Sequence, residues 1–151
     1  MSRFLHKSPN VSVLLYHLVC VAKYRRVVFD EEVEAVLRDV CLGIALRYAI
    51  EFVEIGTDGD QVHFLLQSVP TDSPTKIVSS LKSVTAREVF VRCPHLKRKL
   101  WGGEFWSDGY FIASLGQQES EETVRNYVKQ QGHDRHYKQL HIQPLAATSD
   151  S

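Results

Sequence analysis

The chain has 151 residues, 44% of them hydrophobic and 24% charged, with a formal net charge of zero. That is enough for one domain with its own core, and the composition excludes a low-complexity, collagenous or disulfide-scaffold protein. Three widely spaced cysteines, Cys20, Cys41 and Cys93, form no Cys-x-x-Cys pair, which argues for a reducing compartment and against a zinc ribbon. There is no charged-then-apolar leader and no run long enough to span a bilayer, so a cytoplasmic protein is expected.

In chain order, Val11 to Ala22 is rich in β-branched and aromatic residues and reads as a buried strand. Asp30 is a candidate N-cap ahead of Glu31 and Glu32, and apolar residues from Val33 to Tyr48 then recur at helical spacing. Ile50 to Thr57 and Gln61 to Ser68 read as strands joined by the turn Asp58-Gly59-Asp60. Pro74 suits the first turn of a second helix running to about Val91, with Ile77, Leu81, Val84 and Val89 as its apolar stripe. After Pro94 comes a basic connection, then a fourth strand from Tyr110 to Leu115, ended by Gly116. A last helix starts near Ser120 and stops at Gly132. The order β-α-β-β-α-β-α predicts an α+β, ferredoxin-like (RRM-like) antiparallel sheet with helices on one face, plus a C-terminal helix. The other sheet face is expected to stay open. Residues 1–145 form a single domain in this reading, and 146–151 a disordered tail.

The zero net charge hides a sorted distribution. Asp30 to Asp60 carries nine acids against Arg38 and Arg47, whereas Lys76 to Lys99 carries seven bases against Glu88. Lys23-Tyr24-Arg25-Arg26 adds a second basic cluster with an aromatic inside it. Such sorting builds a phosphate-binding face on a neutral protein, although solvated helix faces give the same pattern. Trp101, Phe105 and Trp106 are candidates for stacking on unpaired bases, with burial an equal expectation for two of them.

Two polar constellations interrupt the apolar pattern. Gln61 and His63, two apart in a strand, leave the same face, while Val62, Phe64 and Leu66 leave the other. Tyr127 and Gln131, four apart in the last helix, share one helical face. An imidazole nitrogen with amide oxygens suits Mg²⁺ or Mn²⁺, and a phenolate can attack a phosphorus polarised by such an ion. His133, His136 and His141, mixed with Lys138 and Gln139, are read instead as a solvated, partly flexible tail.

In order, Lys23-Tyr24-Arg25-Arg26, Asp60-x-Val62-His63, Leu81-Lys82, Trp101 through Gly109 and Tyr127-x-x-x-Gln131 resemble the HUH-type single-tyrosine transposases. These are the TnpA-like enzymes of the smallest bacterial insertion sequences, and the resemblance runs from about Val11 to Gln131. It implies a metal-dependent enzyme that cleaves and rejoins single-stranded DNA at hairpin-marked ends through a 5′-phosphotyrosine. Tyr127 matches the nucleophile, and His63 and Gln131 match ligands of Mg²⁺ or Mn²⁺. Lys23, Arg25, Arg26, Lys82 and Arg87 are the candidate DNA-binding residues. It also implies a homodimer whose active sites are shared between subunits, and DNA hairpins rather than membranes as partners.

One position departs from the pattern: the family has a histidine where this chain has Gln61. An amide oxygen still ligates Mg²⁺ but is a weaker donor than imidazole toward Mn²⁺ and later metals. The alternative is therefore a non-catalytic or impaired DNA-hairpin binder. An RNA-recognition module is disfavoured because its aromatic strand motif is missing, and a small metabolic enzyme because acid-base groups near His63 are few.

Overall fold

The computed structural model describes residues 14–69, 71–117 and 138–140. They form β1 (Leu14–Ala22), a 3₁₀ turn (Lys23–Arg25), α1 (Glu31–Arg47), β2 (Ile50–Asp58), β3 (Gln61–Ser68), α2 (Pro74–Arg92), a short α3 (Leu96–Lys99), β4 (Trp106–Gln117) and β5 (Lys138–Leu140). Every adjacent pair is antiparallel, in the order β4-β1-β3-β2-β5. The first four strands reproduce the expected ferredoxin-like arrangement, in which each helix crosses between two strands separated by a third.

The helices start where the sequence places them. Asp30 Oδ1 accepts from the Val33 amide at 2.9 Å, and Ser73 Oγ accepts from the Lys76 amide at 3.1 Å with Pro74 following it. Both helices pack on one face of the sheet. Leu37, Cys41 and Ile44 of α1 and Ile77, Leu81 and Val84 of α2 meet Leu18, Cys20, Ile55, Val62, Phe64 and Leu66 in a single core cluster. One end of that core is closed by Phe29, Leu96, Leu100, Phe105 and Trp106. Trp106 Nε1 donates to Thr85 Oγ1 at 2.9 Å, and that hydroxyl donates in turn to the Leu81 carbonyl at 2.7 Å.

An extra residue in β2 sets the register. Phe52 pairs with Leu66, but the next pair is Glu54 with Leu65, so Val53 is bulged out. Before the bulge, Ile50 and Phe52 face the core; after it, Ile55 and Thr57 do. Glu54, Gly56 and Asp58 thereby join Leu65, His63 and Gln61 on the face away from the helices.

Three expectations are corrected. The face away from the helices is not open: Leu15, His17, Glu54, His63, Leu65 and Gln67 on it are all buried. The unbroken run Phe64-Leu65-Leu66 belongs to a strand covered on both sides, not to one with a solvated face. Lys138 and Gln139 belong to a strand rather than to a flexible tail, because β5 pairs with Ile55 to Thr57 on the edge of β2. The fourth strand is longer than expected, running from Trp106 through Gly116 to Gln117. The expected last helix with Tyr127 and Gln131, His133, His136, His141, the tail from residue 146 and Val11 to Val13 of the first strand lie outside the described residues. Among the described residues no helix is long and apolar enough to cross a membrane.

All three cysteines are buried free thiols. Burial pushes Cys20 up from 9.0 to about 12, partly offset by the charge of Lys82, and raises Cys41 further. A folded thiol titrating above its unfolded value stabilises the fold below pH 9.0, and that contribution is lost as the pH climbs toward 12. We therefore expect a thiol-specific reagent at neutral pH to label the native protein only at the rate of unfolding. Denaturation midpoints should fall between about pH 9 and about pH 11, and less so in Cys20→Ala.

Candidate functional site

The turn after β1 organises one end of the sheet. Tyr24 and Arg25 adopt positive φ, 59° and 53°, a conformation costly for residues with side chains. The surroundings hold it in place: the Ala22 amide donates to the Asp60 carbonyl and the Lys23 amide to the Phe105 carbonyl, each at 2.8 Å. Arg25 Nε reaches Asp60 Oδ2 at 3.1 Å, and the Val28 amide donates to the carbonyl of Gly59, itself at φ 63°. The β2–β3 hairpin tip is thus docked directly on the basic turn.

Lys23 bridges to Glu104 at 3.2 Å, a hydrogen bond that raises the lysine above 10.5 and keeps it charged, with partial desolvation opposing and Asp108 adding to the rise. Tyr24 stacks on Trp101, with ring centroids 5.3 Å apart at 18°. Both rings stay exposed, Trp101 by 62% and Tyr24 by 49%. Arg25 and Arg26 follow Tyr24 in the chain, and the exposed Lys97, Arg98 and Lys99 precede Trp101 by two to four positions, with Lys99 Nζ 3.4 Å from the Val27 carbonyl. Of the three aromatics singled out by sequence, Phe105 and Trp106 are core and Trp101 alone is on the surface.

Gln61 and His63 lie on β3 just past this turn, on the face away from the helices. His63 pairs with Val19 of β1 and Gly56 of β2, so β2 presents no side chain directly opposite the imidazole. Gln61 pairs with Asp58, and its amide nitrogen points to Asp58 Oδ2 at 3.4 Å, which turns its carbonyl oxygen elsewhere. His63 Nδ1 lies 3.2 Å from Nε2 of His17, which sets Nε2 of His63 on the side of the ring turned from that contact. The donors offered here, one imidazole nitrogen with amide and carboxylate oxygens, suit a hard divalent ion. Among the described residues, no three His, Cys, Asp or Glu side chains cluster into a metal site. A complete coordination set must draw on amides or on further residues.

The other candidates divide. Lys23, Arg25 and Arg26 belong to the turn beside Gln61 and His63. Lys82 and Arg87 are on α2, across the sheet. Arg87 is exposed and 3.9 Å from Glu88. The Lys82 ammonium donates to the carbonyls of Ser107, Asp108 and Gly109 at 2.6, 3.2 and 3.4 Å and lies 5.6 Å from the Tyr110 ring centre, pinning the start of β4. Sequence reasoning missed His17; its signal was a lone imidazole in the apolar run from Leu14 to Ala22.

A family model described as transposase IS200 like matches residues 10–131. The chain is similar to the ISDra2 transposase TnpA of Deinococcus radiodurans, 35% identical over 122 residues, which cover 81% of this chain and 86% of that one. It is also 30% identical over 120 residues to the transposase for insertion sequence element IS200 of Salmonella typhimurium, covering 77% of this chain and 75% of that one. A crystal structure of a candidate transposase from Deinococcus radiodurans R1 superposes with a TM-score of 0.66 at 32% identity, covering 83% of this chain and 95% of that chain.

Lys82→Met should remove charge-assisted hydrogen bonds from the 107–109 segment and cost about 1–3 kcal/mol. Urea denaturation reads the loss, and faster amide exchange at residues 107–109 should accompany it.

Proposed function

The chain belongs to the IS200-like transposase family, and from that membership we propose that it cleaves and rejoins single-stranded DNA at hairpin-marked element ends through a 5′-phosphotyrosine. The observation that carries this reading is the placement of Gln61 and His63 on one sheet face, two residues apart, at a hairpin tip docked on the basic turn. Tyr127 Oη attacks the scissile phosphorus. The bond from phosphorus to the 3′ oxygen breaks, the phenol proton leaves to solvent, and the departing oxygen takes up a proton to become a 3′-hydroxyl. Attack by another strand's 3′-hydroxyl on the phosphotyrosine reverses these changes and joins the strands, so no external energy is required.

His63, Gln61 and Gln131 are the residues that hold Mg²⁺ or Mn²⁺ in this reading. The ion supplies Lewis-acid polarisation of the phosphoryl oxygens. Gly56, opposite His63, places no side chain of β2 directly against the imidazole. The basic turn neutralises backbone phosphates, while the exposed Tyr24–Trp101 pair offers a face for an unpaired base, which favours single strands. A homodimer with active sites shared between its subunits completes the picture.

The second reading, a DNA-hairpin binder with impaired chemistry, draws on Gln61 standing where the family carries an imidazole. The two separate on a denaturing gel. Single-stranded DNA bearing the element's end hairpins, incubated with Mg²⁺ or Mn²⁺, should give a covalent protein–DNA band that Tyr127→Phe abolishes. Gln61→His should lower the Mn²⁺ concentration required for that band; equal metal dependence in the two proteins contradicts Gln61 as a ligand. Trp101→Ala should weaken binding to an unpaired overhang by about 1–3 kcal/mol and leave duplex binding nearly unchanged. Fluorescence anisotropy with the two probes checks it.

A further inference from the structure

His17 lies outside the short motifs that first suggested the family, yet its ring comes within hydrogen-bond distance of His63. The two nitrogens, His17 Nε2 and His63 Nδ1, are 3.2 Å apart, and both rings are nearly buried, at 5% and 6% exposure. The strands fix this geometry. Val19 is the direct partner of His63, so His17 sits diagonally across from it on the same face. Across β4, the small Ala113 faces His17, and Phe111 packs edge-on against the His17 ring at 6.1 Å and 77°. That aromatic wall and the neighbouring strand restrain the ring.

Two neutral imidazoles at this separation share one hydrogen, so one nitrogen donates and the other accepts. If His17 donates, the hydrogen of neutral His63 is displaced to its Nε2, and that nitrogen has no lone pair to offer. If His63 donates from Nδ1, its Nε2 carries no hydrogen. We propose that His17 is a positioning residue: it accepts from His63 Nδ1–H and holds His63 in the tautomer whose Nε2 is a ready ligand. Metal-bound histidines are commonly fixed this way by a partner on the other ring nitrogen. The proposal rests on the reading of His63 as a metal ligand and adds a residue that prepares it before any ion arrives. It also bears on Gln61: with one imidazole replaced by an amide, orientation of the remaining imidazole matters more.

The test reads the hydrogen directly in metal-free protein labelled with ¹⁵N-histidine, using long-range ¹H–¹⁵N correlation spectra. The expected result is His63 with hydrogen on Nδ1 and none on Nε2. His17→Phe should move that hydrogen to Nε2, whereas His17→Gln, whose amide oxygen can accept near the Nε2 position, should keep it on Nδ1. Mn²⁺ affinity should follow the same order, falling about 10–100-fold in His17→Phe and recovering in His17→Gln. A wild-type spectrum with hydrogen on His63 Nε2 overturns the proposal and does not depend on any variant folding. So does a His17→Phe spectrum unchanged at His63, or a Zn²⁺ titration in which the His17 Nε2 signal itself shifts as a ligand. Whether Mn²⁺ broadens His63 at all tests the ligand reading separately, since the tautomer is assigned without metal.

Discussion

The register of β2 against β3 is the constraint on which the site depends. Because side chains alternate with a period of two, the single bulge at Val53 moves every later β2 residue to the opposite face. It puts Ile55 and Thr57 into the core and brings Gly56 beside His63 and Asp58 beside Gln61. Without it, Glu54 and Asp58 would point into the helices and Ile55 away from them. Core packing and site assembly thus enforce one another: slipping the strand to disturb the site would also bury carboxylates among Leu18, Phe64 and Ile44.

The second organising feature is the docking of the hairpin tip on the turn after β1. Two positive-φ residues, Tyr24 and Arg25, cost backbone energy, and the contacts to Asp60, Gly59 and Phe105 offset it. The strained turn presents Tyr24 flat against Trp101 and holds Arg25 on Asp60, the residue before Gln61. A protein with zero net charge can in this way concentrate positive potential at one end of its sheet. Lys82 serves the same end indirectly, by holding the strand start that follows the Trp101 loop.

Much of this was legible in the residue pattern. The N-cap Asp30, Pro74 at a helix start and the Asp58-Gly59-Asp60 turn fixed four element boundaries to within about a residue, and the βαββαβ order left one favoured topology. The bulge, too, leaves a trace, since the apolar phase jumps from Ile50 and Phe52 to Ile55. Burial of the second face was missed because alternation was given more weight than the unbroken Phe64-Leu65-Leu66 run. The pairing of Lys138–Leu140 with an edge strand is a long-range event that local polarity does not encode. His17 stands out as a lone imidazole in an apolar run, but its meaning comes from a neighbour 46 positions away. The motif order carried the family, which no single residue would have done.

These features meet in the claim that His63 and Gln61 form one side of a divalent-ion site on the bulge-set face. Anomalous scattering at the manganese edge, from crystals grown with Mn²⁺ and a DNA hairpin with a single-stranded flank, addresses it directly. The account predicts an anomalous peak bonded to His63 Nε2, with the Gln61 carbonyl oxygen in the same coordination sphere. DNA bound at the basic turn with no peak at His63, or a peak bonded elsewhere, would contradict it.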